Sequence, residues 1–317
     1  MSQNSSAKKL LFTLIKIVLV VVVLYFVYRQ LAKNIDEVKD YEWQINWLFL
    51  TLSIITHLVT FLLFSKVWCW IIDAFGYRVR LADAFKISYI SNLGRYVPGK
   101  IWPVMGMTYL AKKLGIGEEK AITSWIIAQI FTLPAAFCVG LVSFLVVPEM
   151  FADLIEKFSG AAIYLVIASA FLISLFLIFI PNRFFALFNK FLKLIKRPPI
   201  QFKMSIATAL RIYLGYFICW TLYGVAFWML LVAITSNFTI PLIPSIGAFV
   251  IAYQIGYLAF FAPGGLGVRE LVLISVTAPF LGPISAGVAV AARVWNLVVE
   301  ICAFVTASMI KMKGTEK

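Results

Sequence analysis

Arg95 and Lys100 bracket the segment Tyr96-Val97-Pro98-Gly99, and Arg269 and Glu270 follow Pro263-Gly264-Gly265-Leu266-Gly267-Val268. Each group of charges sits where a long apolar stretch is broken by proline and glycine. Charge at membrane depth is expensive and marks a site by default. The guanidinium fork matches phosphate oxygens, and an ammonium adds a point charge. A helix restarting after Gly99 or Gly265 also presents unpaired amides with partial positive charge. Aimed at mid-membrane, such ends make an anion site. Arg95, Lys100, Arg269, Glu270 and Asn92 are therefore read as the lining of an anion site, with Glu270 able to orient a cation and Asn92 and Gln254 to hydrogen-bond. Pro98, Gly99, Pro263, Gly264, Gly265 and Gly267 form the tips. Arg293 and Glu300 lie on nearly one face of the last apolar segment and are read as charge partners, Arg293 pairing with Glu300 or with Glu270. The bland alternative is that all these charges only lock helices together.

The surroundings must be lipid. The chain has 317 residues, 62% of them hydrophobic and 13% charged, with a mean hydropathy of +0.96. No soluble domain of that length hides so much apolar surface. Six stretches are long enough to span: 10–28, 47–72, 121–147, 160–180, 212–234 and 284–310. The first has no clear cleavage site and is read as a retained helix. Two more stretches, 84–111 and 246–280, are broken at the tips, and each half is too short to cross untilted. Re-entrant hairpins fit them, because broken backbone survives at membrane depth only inside protein or along a water-filled cavity.

The net charge of +14 reads as cytoplasmic loop charge under the positive-inside rule, not as nucleic-acid binding. The basic loops can also meet anionic head groups. With both termini cytoplasmic, the most basic loop, 181–211, falls inside only if the broken stretches do not cross. The order of span, hairpin and span then occurs twice, at 47–147 and 212–312, in opposite orientation about a linking helix at 160–180. The offset that lays Pro98 on Pro263 also lays Gly99 on Gly264 and Ala121 on Ala286. The expected fold is an all-α integral membrane protein, one domain over 1–317, with six spans and two re-entrant hairpins in an inverted repeat. Inverted repeats with broken helices and a midplane site are a transporter architecture.

Other chemistry is thin. Cys69, Cys138, Cys219 and Cys302 stand singly in apolar segments without metal or redox spacing, and His57 is alone. Packing is the reading for the cysteines and for Tyr89, Tyr96 and Trp102, and packing or hydrogen bonding for His57. No phosphate loop, metal cluster or nucleophile–base pair is visible, so no enzyme activity, metal or cofactor is expected.

The segments Asn92-Leu93-Gly94-Arg95-Tyr96-Val97-Pro98-Gly99-Lys100-Ile101-Trp102 and Pro263-Gly264-Gly265-Leu266-Gly267-Val268-Arg269-Glu270 resemble two ordered motifs of the lysylphosphatidylglycerol synthase transmembrane-region family. That family includes the flippase domain of the bacterial multiple peptide resistance factor, stand-alone proteins, and membrane partners of glycosyltransferases. The resemblance covers nearly the whole chain. It implies the flippase-like half, in the inner membrane, without the soluble aminoacyltransferase. The expected function is translocation of an anionic or zwitterionic phospho- or polyprenyl-lipid between leaflets. The alternative is a non-transporting scaffold for a glycosyltransferase or lipid-modifying enzyme.

Overall fold

The computed structural model describes residues 25, 28, 32, 35–96, 101–147, 160–194, 196, 199, 202–259 and 261–312. The first predicted span, 10–28, lies almost entirely outside them, as do Pro98, Gly99 and Lys100. The described residues form helices and connecting turns, with no strand among them.

Eleven helices carry the described chain: α1 (Ile35–Asp40), α2 (Trp47–Asp73), α3 (Leu81–Asn92), α4 (Trp102–Lys112), α5 (Glu118–Val146), α6 (Gly160–Phe179), α7 (Pro181–Leu194), α8 (Ile206–Thr235), α9 (Leu242–Leu258), α10 (Val268–Leu281) and α11 (Ser285–Met309). Short 3-10 turns at Leu93–Tyr96 and Pro263–Gly265 follow α3 and precede α10. Helices α2 and α8 start on side-chain caps. Asn46 Oδ1 accepts from the Phe49 amide at 3.2 Å, and Ser205 Oγ accepts from Thr208 at 3.1 Å. Such caps satisfy amides that have no partner within the helix.

Four apolar runs are long enough to cross a bilayer: Trp47–Asp73, Glu118–Ser143, Ile206–Thr235 and Val268–Met309. The fourth has 42 residues and would measure about 63 Å as a straight rod, roughly twice a hydrocarbon core. It is instead two helices. Gly282 sits at φ +59° between them, and Glu270 of α10 lies 3.4 Å from Arg293 of α11, so α10 folds back against α11. A fifth crossing arises if α6 and α7, bent by 114° at their junction, count as one span. The expected spans 47–72, 121–147, 212–234 and 284–310 correspond to α2, α5, α8 and α11, and 160–180 to α6. On α2, Leu48, Leu52, Ile55, Val59 and Leu62 form an exposed apolar stripe. A stripe of that kind is stable only against lipid, and the molecule is a multi-pass membrane protein.

Close packing uses small residues where helices cross. A Cβ on Gly215 would lie 2.7 Å from Val67, and one on Gly224 2.7 Å from the Ile246 Cα. Both broken stretches fold back on themselves. Gly94 packs on Trp102 while Gly106 packs on Ser91, so α3 and α4 run antiparallel side by side. Helices α9 and α10 likewise pack together, and the two 3-10 turns touch.

The chain ends sort into two faces. Arg80 and Lys86 reach the carbonyls of Lys311 and Ile310, and Lys120 lies against Tyr77. This face therefore carries the start of α3, the end of α4 and the end of α11. The start of α8 joins it, with Arg211 over the Trp70 ring. At the opposite face, Asn46 bonds Ala233 and Ser143 bonds Ile243. The entry to α9 lies there.

Candidate functional site

A cavity of about 350 Å3 lies beside the two turns. Its walls include Phe61 on α2, Thr132 on α5, Trp220 and Tyr223 on α8 and Asn296 on α11. Each of those residues is near the middle of its helix, so the cavity is centred at mid-depth. It extends toward the basic face, where Trp68, Met107 and Trp125 line it. Arg95, Arg269 and Arg293 all reach it, as do Asn92, Ser91 and Gln254.

The three arginines are held differently. Arg95, on the first turn, pairs with Glu300 and donates to the Tyr253 hydroxyl at 3.1 Å. Asn296 donates to Glu300, and Tyr223 donates to Asn296. This chain ties the first turn to α8, α9 and α11. Arg293 donates to the Gly264 carbonyl at 3.2 Å and lies 3.4 Å from Glu270. Glu270 in turn accepts from the Gly267 amide at 2.6 Å, which caps α10. The pairing left open by sequence is thereby assigned: Glu270 serves Arg293, and Glu300 serves Arg95. The amide end of α10, expected to face an anion, already holds its own carboxylate. In α4 the first turn contains Pro103, which has no N–H to offer.

Arg269 has no carboxylate partner among the described residues. Its side chain is 6% exposed and lies over the rings of Tyr253 at 4.5 Å and Phe249 at 4.9 Å. Its Nη2 has no hydrogen-bond partner among the described residues, and neither do Gln254 Nε2 and Ser91 Oγ. Buried polar atoms are normally paired. Unmatched donors, one of them cationic, gather on one cavity, and an acceptor-rich anion is the complement they lack.

Gly265 supports this arrangement through backbone geometry. Its φ is +70°, and an added Cβ would lie 2.9 Å from the Gly256 carbonyl oxygen. Gly256 itself leaves no room for a Cβ against Arg269, 2.8 Å away. Gly265→Ala is expected to cost about 1–3 kcal/mol, the range for a strained φ/ψ. Thermal melting of the purified variant in detergent reads it, and an unchanged melt would show that the tip relaxes.

Sequence reasoning singled out the cations, Asn92 and Gln254. It did not find Tyr253, Asn296 or Ser91. Asn296 and Glu300 are four residues apart on one helix, a spacing that places them on one face, so that pair was readable. Tyr253 and Phe249 share the same spacing. His57 is fully buried, boxed by Phe61, Tyr223 and Trp295 with ring centroids at 4.4–4.5 Å. That fits the packing role expected of it.

Helices of spanning length, packed around a cationic and aromatic cavity at their midpoints, define a polytopic membrane protein with an internal site. The chain belongs to the family described as the lysylphosphatidylglycerol synthase TM region, whose model matches residues 13–305. Membership marks a membrane protein of lipid-metabolic or flippase type. No curated protein matches the chain.

Proposed function

We propose that this protein moves an anionic or zwitterionic lipid between leaflets, head group first, and carries out no bond chemistry of its own. The observation that carries this reading is the mid-depth cavity with Arg269 and two further donors on its wall that are unmatched among the described residues. A phosphate supplies both the charge and the several acceptors that such a wall needs. The aromatic remainder suits the glycerol or isoprenoid portion next to it.

The architecture supports transport rather than storage. The α3–α4 pair starts and ends at the basic face. The α9–α10 pair starts at the other face and folds back on itself, and the two turns touch at mid-depth. Two opposed re-entrant hairpins in an inverted repeat are a basis for alternating access. The positive-inside rule makes the basic face cytoplasmic, so the cavity in this state opens inward, toward the inner leaflet. Arg269, with Asn92, Gln254 and Ser91, would receive the head group, while Arg95 is held beside it by Glu300, and Lys100 follows Arg95 in sequence.

Purified protein in liposomes provides the test. Labelled phosphatidylglycerol, its aminoacyl form and a polyprenyl phosphate are supplied in one leaflet, and arrival in the other is timed. At least one is expected to cross faster than in empty vesicles. Rates equal to empty vesicles for all three would overturn transport and favour a scaffold for a glycosyltransferase or lipid-modifying enzyme.

A further inference from the structure

The chain from Pro181 to Arg211 carries seven basic residues, Arg183, Lys190, Lys193, Lys196, Arg197, Lys203 and Arg211, and no acidic one. Its first part is helix α7. At 100° per residue the helix divides cleanly. Pro181, Phe184, Phe185, Leu187, Phe188, Phe191, Leu192 and Leu194 fall on one half of the wheel. Asn182, Arg183, Ala186, Asn189, Lys190 and Lys193 fall on the other.

Only part of the apolar half is covered by protein. Phe185 is buried against Phe202, which stacks on Phe75 just beyond α2. Asn182 accepts from the Met204 amide at 3.0 Å, which pins the first turn of α7 beside the start of α8 at the basic face. One flank of the apolar half is bare: Leu187 is 59% exposed, Phe191 55% and Leu194 80%. Arg183, Lys190 and Lys193 are exposed beside that flank. The axis turns by 114° from α6 to α7. With α6 across the bilayer, α7 lies close to its plane.

We infer that α7 is an interfacial helix whose occupant is an anionic phospholipid surface. Leu187, Phe191 and Leu194 enter the acyl boundary, and Arg183, Lys190 and Lys193 take head-group phosphates. A cationic polar face beside an apolar flank of leucine and phenylalanine has the form of helices that lie in the interface. Basic residues at the cytoplasmic surface are attracted to anionic lipid within a Debye length. The helix sits on the face toward which the cavity opens, so it raises the local share of anionic lipid near that mouth.

The test uses the full chain in detergent, titrated with phosphatidylglycerol or phosphatidylcholine and read by native mass spectrometry. Arg183→Gln, Lys190→Gln and Lys193→Gln together are expected to weaken phosphatidylglycerol binding by about fivefold per charge removed, leaving phosphatidylcholine unchanged. Should the triple variant fail to elute as a single species, Lys190→Gln alone is expected to show the fivefold step. In nanodiscs, an environment-sensitive dye on Leu187→Cys, with exposed Cys302 changed to Ser, is expected to emit as if in an apolar medium. Undiminished phosphatidylglycerol preference in the variants, water-like dye emission, or equal competition by inorganic phosphate would each overturn the assignment. None of these readouts depends on lipid crossing the bilayer, so the transport reading stands or falls separately.

Discussion

Arg269→Met is expected to give a protein that melts no lower than the parent and no longer moves anionic lipid. The stability half follows from the surroundings of Arg269. It is 6% exposed, and among the described residues it has no carboxylate partner and its Nη2 meets no acceptor. Burying an ion costs several kcal/mol even after relaxation. The rings of Tyr253 and Phe249 return about 2 kcal/mol for a desolvated cation. Methionine keeps most of the length, fills the same apolar bed, and removes the unmet charge. The functional half follows from the same imbalance. A hydrogen bond to a charged group contributes about 1.5–3 kcal/mol, so head-group binding falls by roughly 10–150-fold. Arg269→Lys keeps the charge but loses the planar fork and the ring stacking, and should fall between the two. Melting in detergent and lipid movement in proteoliposomes, measured on the same preparations, decide the matter. A lower melt with transport intact would make Arg269 a structural cation.

The reach of the sequence follows from how lipid constrains a chain. Spanning segments must satisfy every backbone group internally, so α2, α5, α8 and α11 stand out as unbroken apolar runs. Proline and glycine stand out where those runs stop. Helix α8 still begins at Ile206, earlier than hydropathy suggests, because Ser205 caps it and Arg211 rests its cation over Trp70 at 4.3 Å. Helix α7 was hidden for a related reason. The charges in 181–211 dominate and read as loop, while the segregation of Phe184, Phe185, Phe188 and Leu192 onto one face is visible only at a period of 3.6. In the site, the cations were legible because charge at depth is rare. Their partners were not. Arg95 and Glu300 belong to opposite ends of the sequence, and only the folding of the first hairpin against α11 brings them together. Glu270 has the right spacing from Gly267 to cap its own helix, and that spacing is visible in the sequence.

Glu300→Ala is expected to lower stability by about 3–5 kcal/mol, the range for removing one partner of a buried ion pair. Glu300 is 7% exposed and Arg95 19%. Without the carboxylate, Arg95 keeps its hydroxyl contact to Tyr253 but loses its counter-charge. Asn296 loses the acceptor that orients it toward Tyr223. The loss reflects the stranded charge, not the net contribution of the pair. The double variant Arg95→Met with Glu300→Met should therefore recover to within about 1–2 kcal/mol of the parent, because apolar replacement of a whole buried pair is often near neutral. Chemical denaturation of Arg95→Met, Glu300→Met and the double closes the cycle and gives the coupling directly. Losses that simply add would mean that Arg95 and Glu300 do not act as a pair in the membrane. The contrast with Arg269 is what separates locking from binding in this cavity. A cation held for structure loses stability when its acid is removed, whereas a cation held for a ligand loses only the ligand.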